Sequence, residues 1–254
     1  LHPYLSIAAA MAAGIASGFI TAILQTKMGI NSLLAGIIVN TGLYSINIAV
    51  MSGSSILNMN KTDTVFTKMA ALVKGTPVAR QSKLFVAIIA VAAVAVILGL
   101  FLKTRLGLAI RATGDNPDMV RSSSVNPAFT TIIGLCVANS FTALSGCLLA
   151  QSQRSVNIDI GTGMVTIALA SLLIGGVFLG RKKMPLRIFG MVLGAFIFRL
   201  IYTIALRFDM PAFMLKFVSS VIVIAAIATP YFKKQLPLLK RRIQTRSGRR
   251  KADA

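Results

Sequence analysis

Asp115 and Asp118 lie three residues apart in "RATGDNPDMVRSSSVN" (Arg111 to Asn126), with Asn116 and Pro117 between them and Arg111 and Arg121 on either side. This is as close as the sequence comes to an acid–base pair, because its six acidic residues are all Asp and its one histidine is His2. No GxxxxGK[ST] or GxSxG stretch occurs, and Cys136 and Cys147 have no His beside them. Neither a catalytic residue nor a metal site nor a bound cofactor follows from that inventory, and the cysteines read as small helix-packing residues. The local pattern instead describes a turn followed by a short helix. Gly114 and Asp115 break the preceding helix, Asn116 or Asp115 caps the next, Pro117 suits its first turn, and Asp118 favours the positive end of its dipole. Such a polar helix, ringed by arginines, is also a shape that a membrane protein presents to a soluble partner.

The elements that hold this segment must come from a very apolar chain: 56% hydrophobic and 13% charged residues over 254, with mean hydropathy +0.79. A soluble helical bundle would show polar faces at helical period, whereas Leu84 to Leu102 (LFVAIIAVAAVAVILGLFL) carries no charge at all. The chain reads as an all-α, polytopic integral membrane protein. A hydrocarbon core about 30 Å thick needs about 20 apolar helical residues. Seven stretches supply them: 5–26, 30–51, 84–102, 127–150, 163–179, 188–206 and 211–229. The formal charge of +21 lies between and after these runs without an aromatic-studded face, which fits loops beside anionic lipid rather than nucleic acid.

The densest basic segments near helix ends are 103–121, Gly180 to Arg187 and the tail from Tyr231 to Lys251. Alternating the seven helices puts all three on one side, the cytoplasmic one by the positive-inside rule. The organisation expected is a transmembrane region over 1–232 containing a cytoplasmic segment at 103–126, then a basic cytoplasmic tail over 233–254 that contacts anionic lipid. Residues 52–83, 151–162 and 207–210 fall outside, with a re-entrant or short surface helix at "TVFTKMAALVK" (Thr64 to Lys74). The opening "LHPYLSIAAAM" has no initiator Met and no basic region of a signal peptide, so a truncated start is expected.

Within the apolar runs, Asn40, Tyr44 and Asn47 share one face of the second helix, and Asn139, Thr142 and Ser145 cluster along the fourth, near Ser140; Thr166 completes the polar set. Two such faces could line a polar path, or the same side chains could simply bond across helices. Arg199 is the one charge well inside an apolar run, which calls for a partner, a water-filled cavity or snorkelling. Gly14 to Leu34 and Gly190 to Leu215 each open with GxxxG, continue apolar and meet a basic residue, Lys27 or Arg207. That is the outline of an inverted repeat, although small-xxx-small spacing is common wherever membrane helices pack closely.

"LKTRLGLAIRATGDNPDMVRSSSVN" (Leu102 to Asn126) resembles the coupling segment of permease subunits of bacterial ABC importers, in the branch serving ribose and branched-chain amino acids. Thr104, Gly107, Ile110, Arg111, Ala112, Gly114, Asn116 and Val125 match in register. The chain departs at Met119, Val120 and Arg121, where small residues are usual, and at Ser124, where Gly is usual. Ser140 to Gly176 and "KMGINSLLAGIIVNTGLYSINIAVM" (Lys27 to Met51) extend the resemblance, the latter towards a poorly described branch with "LLAGI…LYSIN". It implies a bacterial inner-membrane permease subunit for a small polar solute, an amino acid rather than a sugar. Its implied partners are cytoplasmic ATPase subunits, an extracytoplasmic substrate-binding protein and a second permease chain, with ATP hydrolysis outside this chain. The ATPase-coupling residues would be Arg111, Gly114, Asp115, Asn116, Pro117, Asp118, Met119 and Arg121. Two other classes compete: an ion-driven secondary transporter, which usually needs intramembrane carboxylates not seen here, and a scaffold anchoring a cytoplasmic complex through the basic tail.

Overall fold

The computed structural model describes residues 2–60, 62–72, 81–161, 164–179 and 184–207, with single positions between 214 and 228. The helices are α1 (Pro3–Thr26), α2 (Ser32–Val50), α3 (Val65–Leu72), α4 (Ser82–Phe101), α5 (Arg105–Asp115), α6 (Pro117–Ser122), α7 (Pro127–Gln153), α8 (Met164–Leu179) and α9 (Met184–Arg207), and all but α3, α5 and α6 follow the apolar runs closely. Among the described residues there are six segments long and apolar enough to cross a membrane, and the protein is a multi-pass membrane protein. Most of the seventh stretch, residues 180–183 of the basic segment from Gly180 to Arg187, and the tail 233–254 lie outside the described residues. The sequence around Thr64 does form a short helix, α3. One departure from an all-helical chain is a two-stranded antiparallel ribbon, β1 (Ile56–Asn58) with β2 (Ser155–Asn157), pairing Leu57 with Val156.

Helix starts follow local chemistry. Asn31, Asn116 and Asn126 each turn their side-chain oxygen onto the second backbone N–H of the helix that follows, satisfying a donor that has no partner inside the helix. At 116–117 and 126–127 the cap is followed by Pro, whose missing N–H costs nothing in the first turn. Gly29, at φ +68°, makes the turn between α1 and α2 in a conformation that an L side chain resists.

The chain divides into two compact units, Leu1–Asp159 and Ile160–Ala254. In the first, α1 and α7 pack antiparallel along their length. A Cβ on Gly14 would lie 2.5 Å from the Asn139 carbonyl oxygen and one on Gly18 2.6 Å from that of Leu135, so the backbones touch where only glycine fits. In the second unit α8 and α9 form a similar antiparallel pair. A Cβ on Gly175 would run into the Gly190 carbonyl, and one on Gly194 into that of Ser171. Both GxxxG openings singled out in the sequence are thus used alike, each seating its glycines on an antiparallel neighbour. The outer circumference of α4 is left to its surroundings: Leu84, Ile88, Val96, Ile97 and Leu100 are all exposed, as lipid-facing side chains are.

One end of the α1–α7 pair is closed by Gln151. Its side chain is 5% exposed and links α1, α3 and α7. The amide nitrogen donates to the Ser6 hydroxyl at 3.0 Å and reaches the Pro3 carbonyl and Cys147 Sγ at 3.5 Å, while its oxygen accepts from the Val65 N–H at 3.0 Å. The β1–β2 ribbon follows directly from α7 at this end, bringing the segments on either side of 56–58 and 155–157 to the same place.

Candidate functional site

The opposite end of the pair carries the segment 103–126. Leaving α4, the chain turns so tightly that a Cβ at Gly107 would collide with the Phe101 carbonyl and approach Leu102 Cα to 2.5 Å. Thr104 caps α5, its hydroxyl donating to the Phe101 carbonyl at 2.6 Å and accepting from the Gly107 N–H at 3.2 Å. Helix α5 continues through Gly114 and Asp115, so the break comes one residue later than the sequence pattern implies. Asn116 then acts as the cap of α6, its Oδ1 accepting from the Asp118 N–H at 3.0 Å and the Met119 N–H at 3.1 Å. After α6 the chain closes with the Val125 N–H on the Val120 carbonyl at 3.2 Å, and Ser124 sits at φ +60°. That is the left-handed position after a helix end, where glycine is the easiest residue to place.

Helix α5 seats this hairpin on α7 at two points, and α6 buries one side chain. Val120 of α6 is 3% exposed. Ile110 packs against the Gly134 face so closely that a Cβ there would come within 3.3 Å of its Cγ2. The Thr113 and Thr130 hydroxyls are 2.8 Å apart, and Thr130 is 1% exposed. Beside the seat lies an open groove of about 630 Å³, bordered by Gln25, Thr26, Thr113, Arg121, Thr130 and Thr131.

The two acids have different local standing. Asp118 lies in the first turn of α6, as expected for a carboxylate at the positive end of a helix dipole. Asp115 does not cap α6; it ends α5, where the dipole disfavours negative charge. Among the described residues neither has an ion-pair partner. Asp115, Asn116, Pro117, Asp118, Met119 and Arg121 are all exposed, and Arg111 is half-buried on α5. Gly114 is exposed too, with nothing within 4 Å of where a Cβ would stand, so packing does not require glycine there. Exposed Leu106, Leu108 and Met119 add apolar surface to this polar hairpin. Among the described residues no cluster of His, Cys, Asp or Glu could hold a metal.

The polar residues inside the spans are not brought together. Asn40, Tyr44 and Asn47 are all exposed on α2, which buries Ala35 and Val39. On α7, Asn139 donates to the Leu135 carbonyl and Thr142 to that of Ala138, both at 3.0 Å, and Ser145 is exposed. Arg199 is exposed on α9. Sequence reasoning missed Gln151 and the Thr113–Thr130 pair. A glutamine and two threonines in apolar helices look like many others, and only the antiparallel packing of α1 on α7 and of α5 on α7 gives them partners.

Residues 1–227 match the family model described as branched-chain amino acid transport system / permease component. The chain is similar to the tyrosine transport system permease protein of Clostridioides difficile, 31% identical over 229 residues that make up 90% of this chain and 74% of the relative. It is also similar to the ribose import permease protein of Escherichia coli, 27% identical over 78% of this chain and 59% of the relative. The autoinducer 2 import system permease protein of Yersinia enterocolitica is 24% identical over 88% of this chain and 59% of its own length. The chain therefore spans about six-tenths of the latter two relatives. No solved structure matches.

Proposed function

The chain belongs to the family of branched-chain amino acid transport system permease components, and from that membership we propose that it is the membrane-spanning subunit of an ABC importer in a bacterial cytoplasmic membrane, moving a small polar solute inward. We infer an amino acid rather than a sugar as the solute, because the tyrosine transport relative is more similar over more of its own length than the ribose relative. ATP is hydrolysed on separate cytoplasmic subunits. A substrate-binding protein delivers solute to the opposite face, a second copy of this chain completes the path, and the basic tail 233–254 lies on anionic headgroups.

The observation that carries the coupling role is Asp115: an exposed carboxylate held at the wrong end of a helix for its own stability, beside Asp118 and Met119, on a hairpin rooted in α7. A charge with no local use is a charge for a partner, and residues 111–126 form the surface on which an ATPase subunit docks. Asn40, Tyr44 and Asn47, exposed along one face of α2, are candidates to line the path together with Asn139, Thr142 and Ser145 of α7. Labelled L-tyrosine uptake into proteoliposomes holding the full complex, chased with other amino acids and with ribose, tests the solute class. Amino-acid-competed, ATP-dependent uptake is expected; competition by ribose alone reverses the assignment.

A further inference from the structure

Resting on the coupling role proposed for the hairpin, we propose that the Thr113–Thr130 hydroxyl pair is the joint through which the hairpin moves α7, making both threonines positioning residues. Among the described residues theirs is the one side-chain hydrogen bond between the α5–α6 hairpin and α7, at 2.8 Å. It does not stand alone. Ile110 precedes Thr113 by three residues on α5, and Gly134 follows Thr130 by four on α7, so the hydroxyl pair and the Ile110–Gly134 contact lie on facing stripes and fix both position and tilt.

The protons at the joint explain why it is durable. Thr113 also reaches the Ala109 carbonyl at 2.8 Å, and Thr130 the Pro127 carbonyl at 2.9 Å. Thr130 also reaches the Asn126 carbonyl at 3.4 Å, so two hydroxyl protons face four possible bonds. Whichever hydroxyl donates across the gap gives up a bond to its own helix and keeps the bridge. Thr130 is 1% exposed and Thr113 is half-buried, so the bridge itself is largely shielded from water. The groove of about 630 Å³ beside the seat leaves the hairpin room to swing about this point against the ends of α1 and α7.

The test uses the full-length chain with its ATPase in lipid nanodiscs. Cys136 and Cys147 are replaced by Ala, and a bimane label is placed on Gln153→Cys at the far end of α7. In this background, trapping the complex with ATP and vanadate shifts the label's fluorescence. Thr113→Val with Thr130→Val keeps volume and β-branching but removes both hydroxyls. The expected result is that the ATPase still co-purifies while the nucleotide-driven shift falls about fivefold, the loss of one hydrogen bond's worth of coupling. Thr113→Ser and Thr130→Ser restore it, which a purely steric role would not predict. An undiminished shift in the double valine variant, with ATPase bound, overturns the joint and leaves the docking surface standing. Failure of the ATPase to bind even the unaltered hairpin overturns the docking surface and the joint with it.

Discussion

The two ends of α7 are built to different standards. At the Gln151 end one buried side chain ties together α1, α3 and α7, and the β1–β2 ribbon follows within a few residues. At the Thr130 end a single hydroxyl pair and one isoleucine–glycine contact hold a polar hairpin beside an open groove. Between them, Gly14 and Gly18 let α1 and α7 run in backbone contact, so the helix pair transmits displacement as a rigid rod. Local stability follows the number of buried contacts and bonds. On the docking role proposed for the hairpin, the Thr130 end takes up the displacement a partner imposes, and the Gln151 end, tied to α1 and α3, follows as α7 moves.

Gln151→Leu makes the largest break in that contrast. It leaves the Val65 N–H without its partner and removes the donor to Ser6 in a buried site, so a loss of about 3 kcal/mol is expected. Thermal unfolding of the purified protein would show it, with binding of the ATPase to the far hairpin unchanged. Asn116→Ala removes the cap of α6 and should weaken the hairpin by about 1 kcal/mol. Hydrogen exchange at 117–122 would rise while exchange around Gln151 stays as it was, which separates the two ends directly.

Ser124→Gly works in the other direction. Its φ of +60° is a strained place for serine, and glycine should stabilise the turn by about 0.5 to 1 kcal/mol, read as slower exchange at the Val125 N–H. Asp115→Asn should have the smallest effect on folding and a favourable one, because it removes a negative charge from the negative end of α5. It should nevertheless weaken ATPase binding. A variant that is more stable yet binds less marks a residue kept for a partner rather than for the fold.

Much of this architecture was legible in the sequence for one physical reason: a helix in lipid must be apolar over its whole length, so the six spans appear as runs whose ends agree with the structure to within a few residues. The Asn116–Pro117 pair announced one helix start in the same local way, and Asn126–Pro127 proves to be a second of the same kind. The role of Ser124 was half visible, as the residue standing where the resembled family favours glycine; its positive φ supplies the cause. What the sequence could not disclose depends on contact between distant segments. Gln151 meets Pro3, Ser6 and Val65 across the molecule, Thr113 meets Thr130 across a helix interface, and the β1–β2 ribbon joins two loops about a hundred residues apart. The two acids illustrate the boundary well. Local rules account for Asp118 and fail for Asp115, which is why the proposed docking role rests on Asp115.

The most direct test of the central claim is co-purification of the ATPase subunit with the full-length chain in nanodiscs, together with ATP hydrolysis by the complex. Unaltered protein is compared with Asp115→Lys combined with Asp118→Lys. That change leaves the Asn116 cap in place and reverses two exposed charges, at the cost of the favourable Asp118 position in the first turn of α6, which hydrogen exchange at 117–122 reads separately. Capture by the unaltered protein, with capture or coupled hydrolysis lost in the charge-reversed form, is the predicted result. Equal capture and equal hydrolysis by both would contradict the assignment of residues 111–126 as the docking surface.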